Sequence, residues 1–249
     1  MSLELWILLG VNAVTILFFV YFALFIYPYR ELTDETRRRP RSFVSNAVFR
    51  EYWYFVMEPL KQKFISWGVN PNTITVWGLI FSVAAGVAFG YGRFGLGGWC
   101  VILAATCDVY DGLLARALNL EMPSGAYFDS TLDRVGEIAM FLGLLLFFKN
   151  ETFWFVTIYI MVTASGLVSY CRSRAEGLGF GKAGLRGFFQ RAERMIVMSV
   201  GMVLAPVVDL FAPPNTLVHI TILIVCAGSV QTAISRFLGI YLEIRGTET

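Results

Sequence analysis

The chain is poor in charge and in the side chains that bind soft metals. Only 15% of its 249 residues are charged, against 57% apolar, and it holds one histidine and four cysteines. That balance excludes an ordinary soluble domain and points to a membrane protein. Cys100, Cys107, Cys171 and Cys226 have no paired spacing, so neither a disulfide frame nor a zinc site is expected. They read as small buried hydrophobes. His219, near the far end of the last apolar run, is given no role. There is no internal repeat, no low-complexity tract and no basic soluble domain, so no nucleic-acid partner is expected.

The abundant feature is long apolar runs. Residues 5–29, 64–92, 152–171 and 210–235 are each long enough, at about 1.5 Å per helical residue, to cross a core of about 30 Å. Three further spans have charge at one end: 94–107, 138–148 and 188–208. The reading is an all-α polytopic membrane protein. One extra N-terminal transmembrane helix precedes a six-transmembrane-helix bundle, and residues 49–67 form an interfacial amphipathic helix between them. Trp53, Tyr54, Phe64 and Trp67 are placed at headgroup level, and Pro59 is expected to kink or break that segment. The first run lacks a basic leader and exceeds a signal core in length, so it reads as a retained anchor. Residues 1–45, ending in the basic linker TRRRPR, form one part; residues 46–249 form the membrane domain.

Lys and Arg set the orientation. Eighteen fall on one side of this topology; Arg93 and Lys149 alone fall on the other. By the positive-inside tendency the charged end of the bundle faces the cytoplasm. The same asymmetry attracts anionic lipid headgroups.

Four aspartates lie at that end: Asp108 and Asp111 on one helix, Asp129 and Asp133 on the next. Residues three and four apart share a helix face. The connection around residues 122–125 is short enough to make the two helices antiparallel neighbours, which brings the carboxylates together. Ionised acids at membrane depth require compensating cations. Oxygen donors without Cys or His favour Mg, Mn or Ca, and two Mg or Mn ions with a bridging carboxylate suit four acids. Gly112 and Ala115 keep the neighbouring face low and Arg116 adds a cation, a combination suited to a diphosphate undergoing in-line displacement. A divalent-cation transporter is the alternative of a different class. Against it, the acids sit at one end of their helices with no matching ring opposite.

The pattern Asp108-x2-Asp111-Gly112-x2-Ala115-Arg116-x8-Gly125-x3-Asp129-x3-Asp133 resembles the signature of the CDP-alcohol phosphotransferase family at every fixed position. The run Asn70-Pro71-Asn72-Thr73-Ile74-Thr75 extends the similarity. The resemblance implies a phospholipid-synthesising transferase that moves a phosphatidyl group from CDP-diacylglycerol to an alcohol and releases CMP. It implies that Asp108, Asp111, Asp129 and Asp133 bind the two ions. Asp133 would also be the catalytic residue that accepts the hydroxyl proton, taking it late in the transfer. Asn72, Thr75, Gly112, Ala115 and Arg116 would line the CDP-lipid site. A homodimer is implied too, as is an integral protein of a bacterial or archaeal cytoplasmic membrane with its active site facing the cytoplasm.

For the acceptor, Arg172, Arg174, Arg191 and Arg194 cluster at helix ends, and guanidinium forks suit phosphate oxygens. Tyr170, Arg174, Ala175, Glu176, Arg191, Glu193 and Arg194 resemble runs of the phosphatidylinositol phosphate synthase branch. Arg172, Gln190 and Ala192 depart from it. A phosphorylated small alcohol is expected, inositol phosphate being favoured. Phosphatidylglycerol phosphate synthesis, with glycerol 3-phosphate as acceptor, is the alternative.

Overall fold

The computed structural model describes residues 3–33, 36–37, 47–180 and 189–248. Most of the TRRRPR linker, and residues 181–188, lie outside the described residues. Among those described there are eight α-helices and no strand. They are α1 (Leu3–Tyr21), α2 (Ala47–Ser66), α3 (Pro71–Gly90), α4 (Phe94–Ala117), α5 (Pro123–Phe147), α6 (Thr152–Gly177), α7 (Arg191–Val208) and α8 (Thr216–Glu248). Five stretches are long and apolar enough to span a membrane: Trp6–Tyr29, Pro71–Gly90, Phe94–Ala117, Thr152–Gly177 and Thr216–Thr247. The chain is an integral membrane protein. Helices α5 and α7, which the sequence also reads as spans, fall outside that set because their cores carry Asp129, Asp133, Arg134 and Glu137, and Arg191, Glu193 and Arg194.

The run 64–92 is not one span. It breaks at Gly68, whose φ of +64° is in the left-handed region that glycine adopts without steric cost. Pro71 then opens α3, where its missing N–H costs nothing, and Asn70 Oδ1 accepts the Asn72 amide at 2.9 Å. The last run also shifts: 210–215 form a turn, and α8 continues to residue 248. Similarly, α6 runs on to Gly177, so Arg172 and Arg174 sit on a helix instead of a loop.

The chain divides into two compact units, Met1–Gly78 with Ala105–Leu132, and Leu79–Ala104 with Asp133–Thr249. In the first, α2 runs through Pro59 unbroken. Proline removes one helical hydrogen bond, and packing offsets the loss: Tyr54 and Met57 are buried against Ile74, Tyr110, Leu113 and Leu114. Tyr54 is therefore buried in this core, whereas Trp67 is 68% exposed. Helix α1 joins the same unit. Phe18, Phe19 and Phe22 surround Tyr52 with ring centroids 5.1 to 5.9 Å away. Glu51, fully buried, accepts the Thr33 amide and hydroxyl, each at 2.8 Å, and Arg30 Nε at 3.3 Å.

In the second unit α3 and α5 touch backbone to backbone. A Cβ at Gly86 would collide with the Ala139 carbonyl, and one at Gly143 with the Gly86 carbonyl. The core there is Phe89, Phe94, Phe141, Leu144, Phe148, Ile158, Met161 and Met198 with their neighbours. His219 is part of this packing, stacked on Trp154 at 4.0 Å.

Candidate active site

In the first unit Asp108, Asp111 and Asp129 each offer a carboxylate oxygen within 4.8 Å of the others. Three carboxylates gathered this closely form a group that could hold a divalent ion. The donor set is all oxygen, as hard divalent cations require. The residues fit the ions that the sequence implies.

Asp111 is 5% exposed and is aimed by neutral donors. Thr75 Oγ1 donates to its Oδ2 at 2.8 Å, and the Gly112 amide to its Oδ1 at 2.6 Å. These bonds fix the carboxylate without neutralising it. The preceding residue, Tyr110, donates its hydroxyl to the Met57 carbonyl at 2.8 Å, which ties α4 to α2. Arg116 is half-buried and folds back over Gly112: a Cβ there would lie 3.4 Å from Arg116 Nη1. Ala115 is half-buried; Asn72 is exposed and its Oδ1 comes near Gly125, 3.7 Å from a Cβ there. Thr75 thus bonds Asp111, one of the carboxylates expected to hold a metal, a contact that its place in the sequence does not reveal.

The second unit holds a different assembly. Asp133, four residues after Asp129 on α5, receives a two-pronged contact from Arg191: Nη2 donates to Oδ1 at 2.7 Å and Nη1 to Oδ2. One turn on, Glu137 is buried and accepts Arg194 Nε at 2.9 Å and Arg134 Nη1 at 3.3 Å. Arg194 is fully buried, and its Nη1 has no hydrogen-bond partner among the described residues. The charged neighbours of Arg134 are Glu137, Arg191, Arg194 and Asp133. Arg236, 3% exposed, donates to the Val168 carbonyl at 2.6 Å and has Arg172, Arg194 and Arg134 around it.

Arg191, Arg194 and Arg134 therefore converge on Asp133 and Glu137, and Arg236 with Arg172 lies beside Arg194 and Arg134, an arrangement with capacity for an added anion. Of the four arginines singled out from sequence, Arg191 and Arg194 lie at its centre. Arg172 is exposed and also bonds Glu176 at 2.9 Å; Arg174 is exposed. Glu193 has a local task, accepting the Gln190 amide at 3.0 Å to start α7. Glu137, Arg134 and Arg236 were not singled out. The available signal for Glu137 was its place one turn after Asp133 on the same helix face; for Arg236 it was a lone cation late in an apolar run.

Comparison with known proteins shows the family of the chain. The family model for CDP-alcohol phosphatidyltransferase matches residues 68–231. The phosphatidylinositol phosphate synthase of Streptomyces avermitilis is 31% identical over 204 residues, which is 80% of this chain and 83% of that protein. Crystal structures of the Mycobacterium tuberculosis phosphatidylinositol phosphate synthase are 27% identical and cover 74% of this chain. One, in complex with manganese and citrate, has a TM-score of 0.65 over 88% of its own chain; another, with CDP-DAG bound, has 0.63 over 92%. This chain belongs to the CDP-alcohol phosphatidyltransferase family of membrane transferases.

Proposed function

We infer that the protein transfers the phosphatidyl group of CDP-diacylglycerol to a hydroxyl of inositol phosphate and releases CMP. The acceptor reading rests on one observation above all: Arg194 is fully buried, its Nη1 has no hydrogen-bond partner among the described residues, and Arg134, Arg191 and Arg236 are close by. A buried guanidinium with an open donor is costly unless an anion joins it, and a phosphate supplies fixed oxygens for such forks. The relatives' names support the same acceptor.

In this reading Asp108, Asp111, Asp129 and Asp133 hold two Mg or Mn ions. Bound there, the ions supply charge stabilisation to the diphosphate oxygens on which negative charge develops. The chain's own residues do the rest. Thr75 and the Gly112 amide keep Asp111 aimed; Asn72, Gly112, Ala115 and Arg116 hold the cytidine diphosphate. Arg172, Arg174, Arg191 and Arg194, with Arg134 and Arg236, receive the acceptor's phosphate. An arriving phosphate competes with Asp133 for Arg191, which releases the carboxylate to orient the attacking hydroxyl and accept its proton late in the transfer. The active end faces the cytoplasm of a bacterial or archaeal membrane, by the positive-inside asymmetry. A six-helix bundle after the N-terminal helix, and a homodimer, complete the proposed assembly.

The test is purified protein with CDP-diacylglycerol, a divalent ion and a panel of acceptors, scored by the mass of the lipid product. Phosphatidylinositol phosphate formed together with CMP supports the reading. Product from glycerol 3-phosphate alone would assign phosphatidylglycerol phosphate synthesis instead.

A further inference from the structure

The acceptor arginines Arg191 and Arg194 lie in the first turn of α7, so whatever fixes the start of that helix fixes them. Phe189 does this by docking on α8. Its ring, 6% exposed overall, lies where a Cβ at Gly228 would come within 2.5 Å of Cδ1. The seat exists because residue 228 has no side chain. The Phe189 backbone N–H, buried with it, donates to Thr232 Oγ1 at 3.0 Å, and Thr232 is 0% exposed. Immediately afterwards the Gln190 N–H donates to Glu193 Oε2 at 3.0 Å, and the Arg194 N–H to the Gln190 carbonyl at 3.1 Å. The helix is thus started in register from an anchored residue, two positions before Arg191 and five before Arg194.

Thr232 stands one turn before Arg236 on α8, so the helix that seats Phe189 also delivers a guanidinium to the same cluster. The match to the family model ends at residue 231.

We propose that Gly228 and Thr232 are positioning residues for the acceptor site: they hold Phe189, and through it they hold Arg191 and Arg194 in place to receive the acceptor phosphate. They touch no reacting atom. This rests on the acceptor reading above.

The distinguishing variants are Thr232→Val, which keeps shape but removes the oxygen that accepts the Phe189 amide, and Thr232→Ser, which keeps the oxygen. Loss of that one buried acceptor corresponds to about a tenfold change in an equilibrium constant. Thr232→Val is therefore expected to raise KM for inositol phosphate about tenfold, with KM for CDP-diacylglycerol within about twofold of wild type. Thr232→Ser should restore both values. Gly228→Ala, which pushes on the Phe189 ring, should reproduce the valine result. A second readout does not need turnover: the concentration of inorganic phosphate that half-maximally raises the melting temperature of the detergent-solubilised protein should rise about tenfold in Thr232→Val and not in Thr232→Ser.

If both threonine variants match wild type in KM and in phosphate stabilisation, or if Thr232→Val raises both substrates' KM equally, the positioning role is overturned. If wild type does not use inositol phosphate, the acceptor reading fails by itself, and the phosphate titration still decides the positioning claim.

Discussion

The two acidic clusters treat their carboxylates in opposite ways. In the first unit Asp111 is aimed by a hydroxyl and an amide, donors that carry no charge, and its negative charge remains available to a cation from outside the chain. In the second, Asp133 and Glu137 are gripped by donors that carry charge, Arg191, Arg194 and Arg134. What separates Asp111 from Asp133 is the partner that a neighbouring helix supplies: the Thr75 hydroxyl from α3 in one case, the Arg191 guanidinium from α7 in the other.

The sharpest way to break this contrast is to remove a carboxylate from the first cluster. Asp129→Asn should lower metal-dependent CMP release about 10³-fold, the scale of several kcal/mol of lost charge stabilisation. Inositol phosphate should stabilise this variant against heat as it does wild type. Loss of that stabilisation would mean that the clusters are not separable.

In the second cluster the matching change is Glu137→Gln, which leaves Arg194 buried with its counter-charge gone. Breaking a buried pair from one side costs about 3–5 kcal/mol, so a large fall in melting temperature in detergent is expected. Arg191→Lys is milder: the two-pronged contact is lost while the charge stays. KM for inositol phosphate should rise about tenfold with KM for CDP-diacylglycerol unchanged.

Thr75→Val tests whether the neutral donor matters. Removing the hydroxyl that aims Asp111 should raise the Mn concentration for half-maximal activity about tenfold, the low end for loss of a residue that orients a metal ligand. Thr75→Ser should restore it.

The smallest expected effect is at Glu51, where α1 is clasped to α2. Burial works to raise its pKa, but hydrogen bonds from Thr36, Thr33 and Arg30 more than compensate and hold it below its ordinary 4.5. A depressed carboxylate pKa stabilises the clasp above pH 4.5, and that contribution is lost as pH falls through the folded-state value. Hydrogen exchange in residues 47–58 should accelerate over that acid range in wild type. In Glu51→Gln it should already be faster at neutral pH and lack the acid step.

The sequence made the first cluster more legible than the second. Asp108, Asp111 and Asp129 announce themselves because helical periodicity and a short connection bring them together with little tertiary information. Arg194 and Glu137 are 57 residues apart, and nothing local marks them as partners. Arg236 lies further still from Arg134. Pro59 misled for a related reason: the hydrogen bond that a proline removes is a local loss, whereas the burial of Tyr54 and Met57 against Tyr110 and Leu114 is not visible along the chain. Composition likewise located the spans that are uniformly apolar but overran the starts of α3 and α8, where Gly68 and the 210–215 turn set the limits, and stopped short of the arginine-bearing end of α6.

The central claim is that a metal-binding carboxylate cluster activates the CDP-lipid while an arginine cluster selects an acceptor by its phosphate. The most direct measurement is the ratio of kcat/KM for inositol phosphate to that for free inositol, with CDP-diacylglycerol and Mn held saturating. The account predicts a ratio of at least about 10²-fold, the scale of two charge-assisted contacts to phosphate, falling toward unity in Arg194→Ala. Equal use of the two acceptors by the wild-type protein would contradict it.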